Sequence, residues 1–286
     1  MTNAQTYTAF TPEIWTPRVN MYFKTKLVAA NHFDDYSSEV TEGGDIVHIP
    51  NITEISTSDI PTTSGAVTAT DVSATNTNLT ISTWKGASVF LSDYQMAQAL
   101  KSMRVKDRYA MALGNAVAKK FDSDLLAQGA NLTPTVGSSA SNLLATSIES
   151  AYTILSSNSI PLDEVAWILH PKAYQDIMGI QKFYDASQFG KSSIPQGYHD
   201  MLYGIPVMIT PNVPGGTAGT EGGFRNLLAH KSSLIYAFGT FDGGGSSVRL
   251  HEKSGQDLNV KVIADAIYGV GYLNAKAGVR VLCATT

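Results

Sequence analysis

Residues 42–50, Glu42-Gly43-Gly44-Asp45-Ile46-Val47-His48-Ile49-Pro50, open the stretch that decides the fold, residues 51–84, NITEISTSDIPTTSGAVTATDVSATNTNLTISTW. The stretch is dense in Thr, Ser and Ala, holds Glu54, Asp59 and Asp71, and contains no Lys or Arg. Its residues favour extended backbone, and Leu79, Ile81 and Thr83 alternate with polar neighbours, the period of a half-buried strand. Ahead of it, the two glycines form a polar turn and Ile46–Ile49 a β-rich run ended by Pro50. This pattern predicts a long two-stranded β arm, out through Ile46–Ile55, loose near Ser58–Asp71, and back through Leu79–Phe90. Such a hairpin has no core of its own and is marginal in water, so it needs something outside itself to lie on. A long surface loop is the alternative reading.

On the C-terminal side the period changes from two to three or four. Ser92 is a good N-cap, Asp93 sits in the first turn, and Gln95 occupies the capping-box position. Apolar residues then recur at Met96, Leu100, Met103, Ala110, Leu113, Val117, Phe121 and Leu125. Gly129 is a plausible C-cap. A continuous Ser92–Gln128 helix would be about 55 Å long at ~1.5 Å per residue. Gly114 weakens the case for continuity, and a break near Lys101–Arg104 is the other possibility.

Farther along, Asn131–Ser141 reads as a linker and Asn142–Ser156 as an amphipathic helix. Val165-Ala166-Trp167-Ile168-Leu169 is a continuous apolar run, expected as a buried strand. Pro171 stands where the next helix would start, with Tyr174, Ile177 and Met178 at helical spacing. Ile205–Ile209 is a second buried strand, Asn212–Phe224 a glycine-rich loop, and Asn226–Phe238 a return strand. A meander closes the chain through Val248–Glu252, Leu258–Tyr268 and Tyr272–Leu282, with Gly269 and Gly271 marking the last bend. On the N-terminal side, Thr11–Phe33 reads as an arm followed by a short helix.

Composition sets the bounds. The chain has 286 residues and 43% hydrophobic content, enough for one large or two intertwined domains. Charged residues make up only 15%, below the roughly 25% of an ordinary soluble domain, which fits surface that is polar but uncharged or surface covered by neighbours, the second as in an oligomer. Net charge is -4, with no basic patch of the kind that reads nucleic acid. The single cysteine, Cys283, excludes an intramolecular disulfide framework and a cysteine-rich zinc site, and it suits a reducing cytoplasm during folding. No apolar run approaches the ~18 residues of a membrane span, and Met1–Phe10 lacks a secretory signal pattern.

The order of parts resembles the major capsid proteins of tailed bacteriophages of the Hong Kong 97 type. The resemblance rests on the arm opening at residues 42–50 and on the spine helix entered through Val89-Phe90-Leu91-Ser92-Asp93. It rests also on Val165-Ala166-Trp167-Ile168-Leu169-His170-Pro171-Lys172-Ala173-Tyr174 and Tyr203-Gly204-Ile205-Pro206-Val207, and it spans about Phe10 to Cys283. It implies an α+β phage major capsid fold. Its parts would be an N-terminal arm and start of the peripheral domain (1–41), an E-loop (42–84), the peripheral domain with the spine helix (85–141), an axial domain (142–257) and return strands of the peripheral domain (258–286). It implies a subunit that self-assembles into hexamers and pentamers of an icosahedral head enclosing double-stranded DNA held non-specifically. The E-loop would lie across a neighbour, with Glu54, Asp59, Asp71 and Trp84 as inter-subunit contacts. A separate scaffolding protein, a portal and a decoration protein are the further partners implied. The place is the virion capsid, assembled in the bacterial host cytoplasm, with no membrane. Some members carry a scaffolding segment of about a hundred residues ahead of the arm. Here the arm starts almost at Met1, so a separate scaffold or an already mature form is expected. Some members also cross-link an E-loop lysine, and residues 51–84 have none. An encapsulin-like protein compartment is the alternative within the same fold, and a phage tail protein the alternative outside it.

Signs of catalysis do not assemble. His32, His48, His170, His199, His230 and His251 show no metal-ligand spacing. Ser82-Thr83-Trp84-Lys85 matches an SxxK string, but a strand would not place Ser82 and Lys85 on a shared helix face, and the companion motifs are missing. GxSxG, Walker and GxGxxG motifs are absent, and neither glycine cluster, Gly215–Gly223 or Gly243–Gly245, separates a strand from a helix. The expectation is a structural protein that is no enzyme and has no cofactor or metal.

Overall fold

The computed structural model describes residues 27–40, 46–52, 59–60, 74–92, 103–180, 201–215, 222–239, 248–254 and 259–285. In chain order these form β1 (Asp34–Asp35), β2 (Ile46–Ile52), β3 (Ala74–Thr80), β4 (Thr83–Ser92), α1 (Met103–Ala127), β5 (Thr135–Gly137), α2 (Ala145–Ser157), β6 (Val165–Leu169) and α3 (Pro171–Met178). Then follow β7 (Met201–Leu202), β8 (Ile205–Ile209), β9 (Phe224–His230), β10 (Leu234–Phe238), β11 (Arg249–Ser254), β12 (Asn259–Tyr272) and β13 (Gly278–Cys283). The α+β expectation holds.

Two sheets and a ribbon organise these elements. The first sheet is built on β12, whose 14 residues outlast any one partner. Its one edge pairs with β4 over Asn259–Tyr268, and the other pairs with β11 and then β10. β1 adds a short parallel edge to β10. The second sheet runs β5-β13-β9-β6-β8-β7. α2 and α3 cover one of its faces, where Ile148, Ala151, Leu155, Ala173 and Ile177 meet Val165, Trp167, Leu169, Leu228, Val279 and Val281. The odd-even alternation of β6 and β9 sends Ile168, Leu227 and Ala229 to the other face.

That other face meets α1, which also packs on the first sheet. Leu113, Val117, Phe121, Leu125 and Leu126 share one core with Val262, Ala264, Ala266 and Tyr268 of β12 and with Leu227 and Ala229 of β9. Phe121 lies edge-on to Tyr236 and Tyr268, with ring centroids 5.3 and 4.9 Å away. The Tyr268 hydroxyl donates to Asp124 at 2.7 Å, so the buried ring keeps its polar end satisfied. The helix therefore belongs to both sheets at once.

Several expectations change. The described helix has 25 residues and starts at Met103, about 37 Å at ~1.5 Å per residue. Ser92, expected as its N-cap, closes β4, and residues 93–102 lie outside those described. Asn226–Phe238 is two strands: a 3-10 turn at Lys231–Ser233 passes the chain from the second sheet to the first. One apolar run cannot reveal such a transfer, because both halves are buried. β4 and β3 are likewise separate, with Ile81 and Ser82 between them, so the expected Leu79–Phe90 return strand is broken. Residues 27–33 carry turns rather than a helix, and 11–26 lie outside the described residues. The linker 131–141 contains β5, paired parallel with β13.

Gly269 and Gly271 do not mark a bend. They lie within β12, and a Cβ at Gly269 would come within 2.5 Å of the Thr80 carbonyl oxygen. At Gly271 it would come within 3.1 Å of Leu79 Cδ1. Both are bare because β3 crosses β12 there. The actual turn into β13 comes at Asn274–Ala277, where the Ala277 N–H donates to the Asn274 carbonyl at 3.1 Å.

Candidate assembly surface

The arm is present as a two-stranded ribbon, in register from Ile46 opposite Thr80 to Ile52 opposite Ala74. Alternation gives it two unlike faces. Val47, Ile49, Leu79 and Ile81 are buried against Ile235 and Ala237 of β10, with Ile267 of β12 alongside. Ile46, His48 and Pro50 face out, and His48 Nδ1 meets Asn78 Oδ1 at 2.7 Å. The support the sequence demanded is thus partly internal: the ribbon's root rests on the first sheet, on the face opposite α1.

The ribbon covers only part of that face. In the antiparallel β4–β12 pair, residues directly opposite share a face. Lys261 opposite Phe90, Ile263 opposite Ser88, Asp265 opposite Gly86 and Ile267 opposite Trp84 therefore form one surface. Ile267 lies under the ribbon root, and the rest continues beyond it as a shallow groove lined by Trp84, Gly86, Ser88, Lys261, Ile263 and Asp265. Trp84 is 64% exposed and Phe90 66%, high values for large apolar rings. Lys261 Nζ lies 5.3 Å from the Phe90 ring centroid, and Trp84 Nε1 donates to Asp265 Oδ2 at 2.7 Å. Both rings have polar partners and still stay largely exposed. Gly86 makes the notch between them, where a Cβ would meet the Ala264 carbonyl oxygen and Asp265 Cβ at 3.2 Å.

Of the four residues expected at the arm contact, Trp84 sits in this sheet surface, beyond the arm itself. Asp59 is exposed, and Glu54 and Asp71 lie outside the described residues. Phe90, Ile263 and Lys261 are additions that sequence reading missed. The signal available was the i, i+2 spacing of Trp84, Gly86, Ser88 and Phe90. It was masked because Ala87 and Val89 on the alternate face are apolar too and pack towards α1. Among the described residues no group of three His, Cys, Asp or Glu could hold a metal, and no helix is long and apolar enough to cross a membrane.

Comparison with known proteins addresses the whole arrangement. The family model described as phage capsid protein matches residues 54–281, well over half of the chain. No curated protein matches. Among solved structures, that of Mycobacterium phage Che8 is 17% identical, with 88% of this chain and 89% of that chain covered at a TM-score of 0.71. The capsid structure of the cyanophage P-SCSP1u is 14% identical, with 86% of each chain covered at a TM-score of 0.66. A virus-like particle from Pyrococcus furiosus is 13% identical, with 93% of this chain and 97% of that one covered at a TM-score of 0.55. These likenesses speak for the fold.

Proposed function

We propose, from the premise that this chain belongs to the phage capsid protein family, that its copies join as hexamers and pentamers into the icosahedral head of a tailed phage. The observation that carries the reading is the first sheet's outer face, part covered by the chain's own ribbon and part left open with the exposed Trp84 and Phe90 rings among polar neighbours. Contiguous exposed apolar surface with a polar rim marks an interaction site. A shell subunit needs several such contacts, individually modest and collectively strong.

In this reading the first sheet with α1 is the peripheral domain, and the second sheet with α2 and α3 is the axial one, meeting its copies at the symmetry centres. The E-loop lies across a neighbour, with Glu54, Asp59 and Asp71 among its contacts, and Trp84, on the sheet surface beyond the arm, is a further inter-subunit contact. A separate scaffolding protein, a portal and a decoration protein complete the head around double-stranded DNA, and assembly takes place in the host cytoplasm. The role is structural, with no reaction to catalyse.

Negative-stain electron microscopy with size-exclusion chromatography of the purified protein tests this. Closed shells, or hexamer and pentamer rings, are expected. A compact monomer that stays unassembled even with candidate scaffolding protein would overturn it. The likeness to the Pyrococcus furiosus particle supports a second reading, an encapsulin-like compartment. Particles filled with protein rather than DNA would favour it.

A further inference from the structure

The turn that passes the chain between sheets is built from titratable groups. His230 ends β9, and its Nδ1 accepts the Ser232 backbone N–H at 3.2 Å, capping the Lys231–Ser233 turn. His32, on the segment leading to β1, has Nε2 2.9 Å from the Ala229 carbonyl oxygen of the same strand end. Lys231 Nζ lies 3.5 Å from Asp34 Oδ1, and the Lys231 N–H donates to the Glu164 carbonyl at 3.0 Å. Thus the N-terminal segment, the end of β9 and the approach to β6 are clasped together where the sheets join.

We propose that His32 and His230 make this joint a proton-sensitive clasp, closed while both rings are neutral and slackened when they take up protons. The hydrogen bonds dictate the protonation states. A backbone N–H can point at His230 Nδ1 only if that nitrogen is bare, so a proton there turns the acceptor into a donor and orphans the Ser232 N–H. Ser232 Oγ, 2.9 Å from the same nitrogen, can receive the new proton but does not restore the lost bond. A carbonyl only accepts, so His32 Nε2 carries its hydrogen in the neutral ring and the added proton lands on Nδ1.

The charged groups facing these rings are few. Asp34 on the segment of His32 favours its charged form but is engaged by Lys231. Glu164 lies 4.0 Å from His230 Nε2 and is 60% exposed, so water screens it. Partial burial, the largest influence, keeps His32 below its usual range, and the nearby His230 ring adds to that. The sign follows from linkage. With His32 depressed below 6.5 in the folded state, the unfolded chain binds more protons as pH falls. The His32 contribution to the clasp is complete above 6.5 and is lost as pH drops from there through the folded value.

Hydrogen exchange on the full chain at pH 7.5 and 5.5, corrected for intrinsic rates, tests this. In the wild type, protection of residues 27–40 and 228–236 should fall about 5-fold or more at the lower pH, while α2 keeps its own. His230→Asn retains a capping oxygen, and His32→Gln retains a donor for Ala229, without a titrating ring. The double variant should hold its protection at pH 5.5. Where it does not fold, each single variant must reduce the acid-induced loss. Unchanged wild-type protection, or an undiminished loss in the variants, overturns the proposal. So does a response that follows His170→Asn, since His170 caps α3 in the same manner, away from the joint.

Discussion

Asp122 is a fully buried carboxylate on α1 that accepts the Val28 and Ala30 N–H groups at 2.9 and 3.4 Å. The Ala29 N–H and the Asn212 side chain also donate to it, so one residue ties the N-terminal segment and the loop after β8 to the helix. Asp122→Ala would orphan several buried donors and should cost about 3 kcal/mol in urea unfolding. Burial raises this carboxyl above 3.8, against its hydrogen bonds. The folded state then holds the proton more tightly than the unfolded one, and this contribution to stability falls as pH rises from 3.8 through the raised value. Asp122→Asn should remove that slope from the pH profile of unfolding, and an unchanged slope would refute the assignment. Gly269 is constrained in another way. Gly269→Ala drives a Cβ into the Thr80 carbonyl, so the variant should lower stability by about 2 kcal/mol and free the ribbon's root, visible as lost exchange protection in β3.

At the scale of elements, the deletion of residues 58–71 should leave a folded subunit that fails to form stable shells, read by microscopy. Normal particles would defeat the idea that the arm lies across a neighbour. Phe90→Asp puts a charge on the open part of the sheet face. It should shift unfolding by no more than about 0.5 kcal/mol, as surface changes do, yet sharply lower the yield of assembled particles. Elements with a strong local period were legible in the sequence: β6, α3 and β8 fall where expected, and α1 follows the expected apolar stripe. What stayed hidden depends on partners far along the chain. The partition of Asn226–Phe238 between two sheets, the use of Gly269 as a crossing point and the exposure of Phe90 are each fixed by β12 or β3, and no neighbouring residue encodes them.

At the scale of the molecule, the two sheets share α1 and one apolar core, so the subunit should unfold in a single calorimetric transition despite its two sheets. Two separate transitions would mean that the sheets are independent. The chain visits the first sheet, moves to the second, returns at Lys231–Ser233 and leaves again for β13. That last move carries a consequence for biosynthesis. β13 lies between β5 and β9, and without it the buried Val279, Val281 and Cys283 are missing and β5 has no strand to pair with. On the ribosome that sheet stays an open seam until residues 278–283 have emerged from the exit tunnel. Such late, long-range closure is slow, and it places folding before association. A partly made chain therefore lacks a finished second sheet, and truncated products enter a growing shell at the disadvantage of their own incompleteness.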